Sequence, residues 1–212
     1  GQVYVPCVSG NHGRTTVKPP AKLYAEQNTD WALYQCLIGT FYKDPKYSKK
    51  VTFNIPSSNE ALFRIYNHRF MLQHGDMMGV KGGDGIIGSL GPIKRGEQKV
   101  GQQARAMGTD FDTLLIGHFH HTLWLPGVFV NGCLKGWDEF AFKFLRANPE
   151  TPSQSMFLVH PEHGITVKRE INLEQPIQGT ALDPEAPWVS LPNNPMMNDL
   201  KPTTALPDGR EP

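Results

Sequence analysis

Short apolar runs that stop at a glycine or histidine turn recur along the chain, and they define its elements. Residues 3–8 are apolar on both faces and close at Ser9-Gly10, which predicts a central strand entering a tight turn. Residues 51–55, 62–66 and 70–73 predict three brief strands, the last running into His74-Gly75-Asp76. Residues 113–116 predict a second buried strand that ends at Gly117-His118-Phe119-His120-His121. Further strands are expected at 123–125, 128–130, 140–145, 156–159 and 165–168, the later ones with visible alternation. A helix is expected over 31–41, capped by the Asp30 carboxylate, with Leu33, Leu37 and Thr40 on one face. Another is expected over 98–107, and a helical stretch from about Lys22. Residues 81–96 contain six glycines and no period, which predicts a long loop of the kind that carries function. Mixed α/β layers follow from this order.

At 212 residues the chain is long enough for one domain with a buried core. Eight of the 18 prolines fall after residue 175, so the expected division is a domain over 1–173 and an extended Pro-rich tail over 174–212, anchored by Trp188. Lys plus Arg (21) almost cancels Asp plus Glu (20), so no global field holds nucleic acid or a membrane, and phosphate recognition has to be local. Three cysteines without CxxC spacing argue against a disulfide framework or thiolate zinc. With no run of about 18 apolar residues and no signal-peptide pattern, the expected setting is the cytoplasm, with no membrane partner.

Three clusters share one layout: Gly10-Asn11-His12, His74-Gly75-Asp76 and Gly117-His118-Phe119-His120 each follow an apolar strand. Loops at the carboxyl ends of strands converge on one crevice in open α/β sheets. Imidazole nitrogen and amide oxygen are good ligands for borderline divalent metals, and two such ions can clamp a phosphoryl group and activate water. His68, His160 and His163 lie off these clusters and read as structural. Asp84 sits in the glycine-rich loop, a poor place for a bridging carboxylate.

In order and approximate spacing, GNH at 10–12, HGD at 74–76 and GHFH at 117–120 resemble the last three motifs of the calcineurin-like metallophosphoesterases. The resemblance covers about residues 3–170. It implies a four-layer αββα sandwich and hydrolysis of a phosphoester at two divalent metal ions, Mn foremost, with Fe, Zn or Ni as alternatives. Carried over position by position, it makes Asn11, His74 and His118 ligands of one ion and His120 a ligand of the other. His12 becomes the general acid, and Arg14 is placed to grip phosphate. Asp76 and His121 are expected to support the ligands or touch substrate.

Two departures shape the expectation. Gly13 and Arg14 stand where the family usually has an acidic residue, and the family's Asp-x-His and Gly-Asp-x-x-Asp motifs are absent from the sequence. The preferred account is that the N-terminal strands are missing from this chain. An N-terminal half of the enzyme, as a separate or cleaved chain, would then complete the site; a homo-oligomer is the other partner expected. The branch most similar in pattern contains exonuclease-like DNA-repair and phage-borne enzymes, which points to a phosphodiester substrate, nucleic acid included. The competing readings are a non-catalytic module that keeps the fold and docks on a partner, and a phosphomonoesterase or protein phosphatase. Two basic clusters, Lys43, Lys46, Lys49 and Lys50, and Lys94, Arg95, Lys99 and Arg105, would suit a polyanion if either flanked the crevice.

Overall fold

A computed structural model of the chain describes residues 1–18, 20, 22–79, 88, 90–135 and 151–173. Its elements are β1 (Val3–Pro6), α1 (Thr29–Lys43), β2 (Val51–Asn54), β3 (Ala61–Ile65), β4 (His68–Gln73), α2 (Leu90–Ala106), β5 (Thr113–Ile116), β6 (Leu123–Leu125), β7 (Val128–Val130), β8 (Ser153–His160) and β9 (Gly164–Asn172). The fold is mixed α/β. The expected strand at 140–145, Asp84, Trp188 and the 174–212 tail lie outside the described residues.

The centre is a five-stranded sheet in the order β3-β4-β5-β7-β6, in which β4, β5 and β7 run parallel and β3 and β6 are antiparallel edges. Parallel strands need a crossover, and α2 supplies it between β4 and β5. Period-two alternation then divides the side chains between two faces. On one face Met71, Leu114, Ile116, Val128 and Val130 pack with Ile93 of α2 and with Met78. On the other, Phe70 is fully buried, stacked on Phe63 at 5.3 Å and on Phe157 of β8 at 5.5 Å. Aromatic pairs at these separations add to the transfer free energy of burying each ring, which is about 2 kcal/mol or more.

Two further pairs flank this sheet: β1 with β2, parallel, and β8 with β9, antiparallel. Asn131 ties the β8–β9 hairpin to the central sheet, its Nδ2 donating to Gln154 Oε1 at 2.9 Å and its Oδ1 accepting from the Ser155 amide at 2.8 Å.

Four expectations need correction. β1 is not a central buried strand: among the described residues it pairs only with β2, and Val3 and Tyr4 are 52% and 48% exposed. The α1 cap is Asn28, whose side chain accepts from the Asp30 amide at 2.9 Å, and Leu33 points to solvent while Trp31, Tyr34 and Leu37 are half-buried. Residues 24–26 form a turn rather than a helix. The supposed loop over 81–96 contains the first two turns of α2. Pro92 is tolerated there because a first-turn amide has no intrahelical acceptor, and Gly96 makes room for Met78, since a Cβ would lie 3.0 Å from Met78 Cβ.

Candidate functional site

The carboxyl ends of β4 and β5 lie side by side, and their ladder continues one step further, Gly117 N donating to His74 O at 3.0 Å. This sets the two turns against each other, so that the His74 and His118 rings meet edge to face at 5.1 Å between centroids. β1 delivers the third turn. There His74 Nε2 and Asn11 Oδ1 are 2.7 Å apart, and Gly10 passes so near the His74 ring that a Cβ would lie 3.1 Å from Cε1. Gly75, at φ +113°, turns the chain after His74 where a Cβ would stand 3.4 Å from His118 Cβ. Three stretches far apart in sequence thus bring Asn11, His74 and His118 together.

The Gly10 turn is held from behind by residues whose role the sequence does not announce. Gly10 N donates to Asp30 Oδ2 at 2.8 Å, and Asn28 Nδ2 donates to Gly10 O at 2.7 Å. The start of α1 therefore grips both peptide groups of the glycine next to Asn11. Between these anchors the chain leaves and returns at one place, with Thr29 N donating to Gly13 O at 2.7 Å and Arg14 bridging Asn28. Tyr24 lies within this stretch, and its hydroxyl donates to Asp76 Oδ2 at 2.6 Å. Asp30 is legible in the sequence only as a helix start, and no sequence pattern singles out Tyr24.

His12 is exposed at the rim, its ring 6.3 Å from that of His120. Arg14 turns toward its own loop, Nε donating to Thr16 O at 3.1 Å. His118 and His120 hold φ of +66° and +65°, a region that costs a residue with a Cβ about 1 kcal/mol or more. His121 is half-buried in the same turn.

Burial sets the electrostatics. It pushes the His74 imidazole down to about 4, with the nearby Asp76 carboxylate pulling the other way and His118 adding to the fall. Burial lowers His118 as well, again against the pull of Asp76. Both rings are neutral at pH 7, the form that binds metal.

Asn11 Oδ1 and His74 Nε2 are joined by a hydrogen bond of 2.7 Å, and amide oxygen and imidazole nitrogen are both atoms that can bind a borderline divalent metal. His118, its ring 5.1 Å from that of His74, is the residue that could add a third donor. Among the described residues no three His, Cys, Asp or Glu side chains close on one point to hold a metal ion. Among the described residues the side chains that could hold one ion are thus an amide and two imidazoles, and His120 is the candidate for a second.

The first basic cluster lies away from these turns. Lys50 lies beside Val3, at the opposite end of β1 from Asn11, and Lys43, Lys46 and Lys49 precede it in the same turn region. Lys94 is engaged by Glu97 at 2.8 Å and by Pro126 O, and Lys99 by Gly79 O at 2.6 Å.

No family model matches the chain, and no curated protein does. Among solved structures it is similar to wild-type Vps29 complexed with Zn2+ from Entamoeba histolytica, at 15% identity over 53% of this chain and 59% of that one, with a TM-score of 0.32. It is also similar to a single mutant of Vps29 from the same organism, at 10% identity over 81% of this chain and 98% of that one, with a TM-score of 0.34. The chain thus spans less than two thirds of the first and nearly all of the second.

Proposed function

We propose that this chain is a divalent-metal-dependent phosphoester hydrolase, acting on a phosphodiester. The observation that carries it is the meeting of Asn11, His74 and His118 from three separate strand ends, with two donor atoms 2.7 Å apart. The order of the GNH, HGD and GHFH motifs, which resembles the calcineurin-like metallophosphoesterases, supports the same chemistry. When bound, the metal supplies Lewis acidity toward the phosphoryl oxygens.

The chain's own residues supply the rest. Asn11, His74 and His118 hold one ion, and His120 contributes to a second. His12, on the rim beside His120, donates the proton that the departing oxygen takes up as its bond to phosphorus breaks. Asp30 and Asn28 fix the Gly10 turn, and so fix where Asn11 and His12 point. Carboxylate ligands for the second ion would come from a segment bearing Asp-x-His and Gly-Asp-x-x-Asp, on this or another polypeptide.

The test is hydrolysis of bis(p-nitrophenyl) phosphate with Mn2+ by wild type, His12→Ala and His118→Ala, each together with a polypeptide bearing Asp-x-His and Gly-Asp-x-x-Asp, alongside Mn2+-induced shifts in melting temperature. The expected result is a metal-dependent rate that falls about 100-fold or more in His12→Ala with the melting shift retained, and loss of both in His118→Ala. Equal rates in all three remove the catalytic reading. A melting shift without turnover favours the non-catalytic module.

A further inference from the structure

β9 is a long strand at the edge of its hairpin. Among the described residues its only strand partner is β8, and every residue from Thr166 to Leu173 is exposed. Leu158↔Val167 and Met156↔Arg169 are paired, and with Ile171 two positions on they take the outer face of the hairpin, alternating with Phe157 and Lys168. There Leu158, Val167, Ile171 and the following Leu173 are 54%, 42%, 39% and 45% exposed. Lys168 and Glu170 take the inner face beside Phe157 and Ser155, with the Lys168 ammonium 4.7 Å from the Phe129 ring centroid. Soluble proteins usually blunt such edges with short strands, bulges, proline or charged side chains, and the charges on this edge, Lys168, Arg169 and Glu170, are ordered so that a reversed copy of the strand sets Lys168 against Glu170. Here the one register shift of the hairpin, between Leu158 and Val159, falls before Val167, and from Val167 to Asn172 the strand runs regularly with apolar side chains bracketing a charged centre.

The segment Val167-Lys168-Arg169-Glu170-Ile171 is complementary to its own reverse. Laid antiparallel on a copy and centred on Arg169, it sets Val167 opposite Ile171 of the partner subunit and Lys168 opposite Glu170 of the partner subunit, each pair occurring twice. Opposed apolar and opposite-charge pairs are the units that stabilise an antiparallel ladder. Only Arg169 meets its own copy, and solvent screens that repulsion on an exposed face. We propose that β9 pairs with β9 of a second copy of this chain in this register, joining two hairpins into one four-stranded antiparallel sheet about a two-fold axis at Arg169. Such an interface uses the same patch on both subunits, as a closed dimer requires. It lies on the β8–β9 hairpin and does not depend on the proposed hydrolysis.

Sedimentation equilibrium of the full chain tests it through charge reversal. The wild type is expected to be a dimer. Lys168→Glu or Glu170→Lys alone places like charges opposite each other twice and weakens dimerisation about tenfold or more, whereas the double reversal restores both pairs and recovers most of the affinity. Arg169→Ser removes the one repulsive pair and tightens the dimer.

Position is tested separately, in a Cys36→Ser, Cys133→Ser background. Arg169→Cys is expected to oxidise to a covalent dimer, because opposed Cβ atoms about 5 Å apart are within reach of a disulfide. Thr166→Cys lies six positions from its copy, about 20 Å away, and is expected to stay monomeric on a denaturing gel. A monomeric wild type, a double reversal no tighter than the single variants, or equal cross-linking at both positions overturns the proposal. Circular dichroism of each variant identifies any that fails to fold.

Discussion

Tyr24 donates its hydroxyl hydrogen to Asp76 Oδ2 at 2.6 Å, joining the excursion after His12 to the turn after His74. Burial and this bond both raise the phenol above its ordinary range, so it stays protonated as a donor at pH 7. Tyr24→Phe deletes the hydroxyl and leaves the ring. The expected cost is about 1 kcal/mol in urea unfolding, and alkaline absorbance titration should lose its highest-pH phenol.

Asn28 does two jobs with two atoms. Its Oδ1 caps α1, and its Nδ2 holds Gly10 O. Asn28→Ser keeps a capping oxygen but cannot reach Gly10, whereas Asn28→Ala loses both. The expected costs are about 1 and about 2 kcal/mol. Both variants should weaken Mn2+ binding, measured by the melting shift, to a similar extent, because both release the turn that carries Asn11. A serine variant that binds Mn2+ like wild type would show that the bond to Gly10 does not position Asn11.

The chemistry of this site is legible in the sequence to the extent that it depends on strand ends. β5 over 113–116 matches its predicted bounds, β4 and β1 run into the expected turns, and that alone brings His74, His118 and Asn11 to one edge. Support that comes through tertiary contact is not legible. Asp30 reads as a helix cap because the residue it serves, Gly10, lies 20 positions away. The start of α2 reads as a loop because Gly91, Pro92 and Gly96 carry poor helix propensity, while the contact that explains Gly96 is with Met78.

Stability should fall on the acid side of neutrality. His74 has a folded value of about 4 against an ordinary 6.5, so the unfolded chain takes up this proton first. As pH drops from about 6.5 to 4 the unfolded state gains, with a slope of up to about 1.4 kcal/mol per pH unit for one proton. Above 6.5 the effect is absent. His118 is shifted in the same direction and steepens the slope. Urea midpoints at pH 7.0, 5.5 and 4.5 in EDTA should decline less in His74→Gln than in wild type.

Gln73, the last residue of β4, is buried, and its side-chain nitrogen has no hydrogen-bond partner among the described residues. A buried donor without a partner costs about 1–3 kcal/mol. Gln73→Leu, similar in reach and apolar, is expected to be neutral or up to about 1 kcal/mol more stable in urea unfolding. A loss of about 2 kcal/mol or more would mean that the amide is satisfied in solution.

The left-handed backbone at His118 and His120 has a consequence for how this protein would change over generations. Glycine at either position would relax the turn, and asparagine would sit there more comfortably than imidazole. A population selected in the laboratory only for heat resistance should drift toward those residues at 118 and 120. One that must also keep its chemistry should hold both histidines and bear the strain.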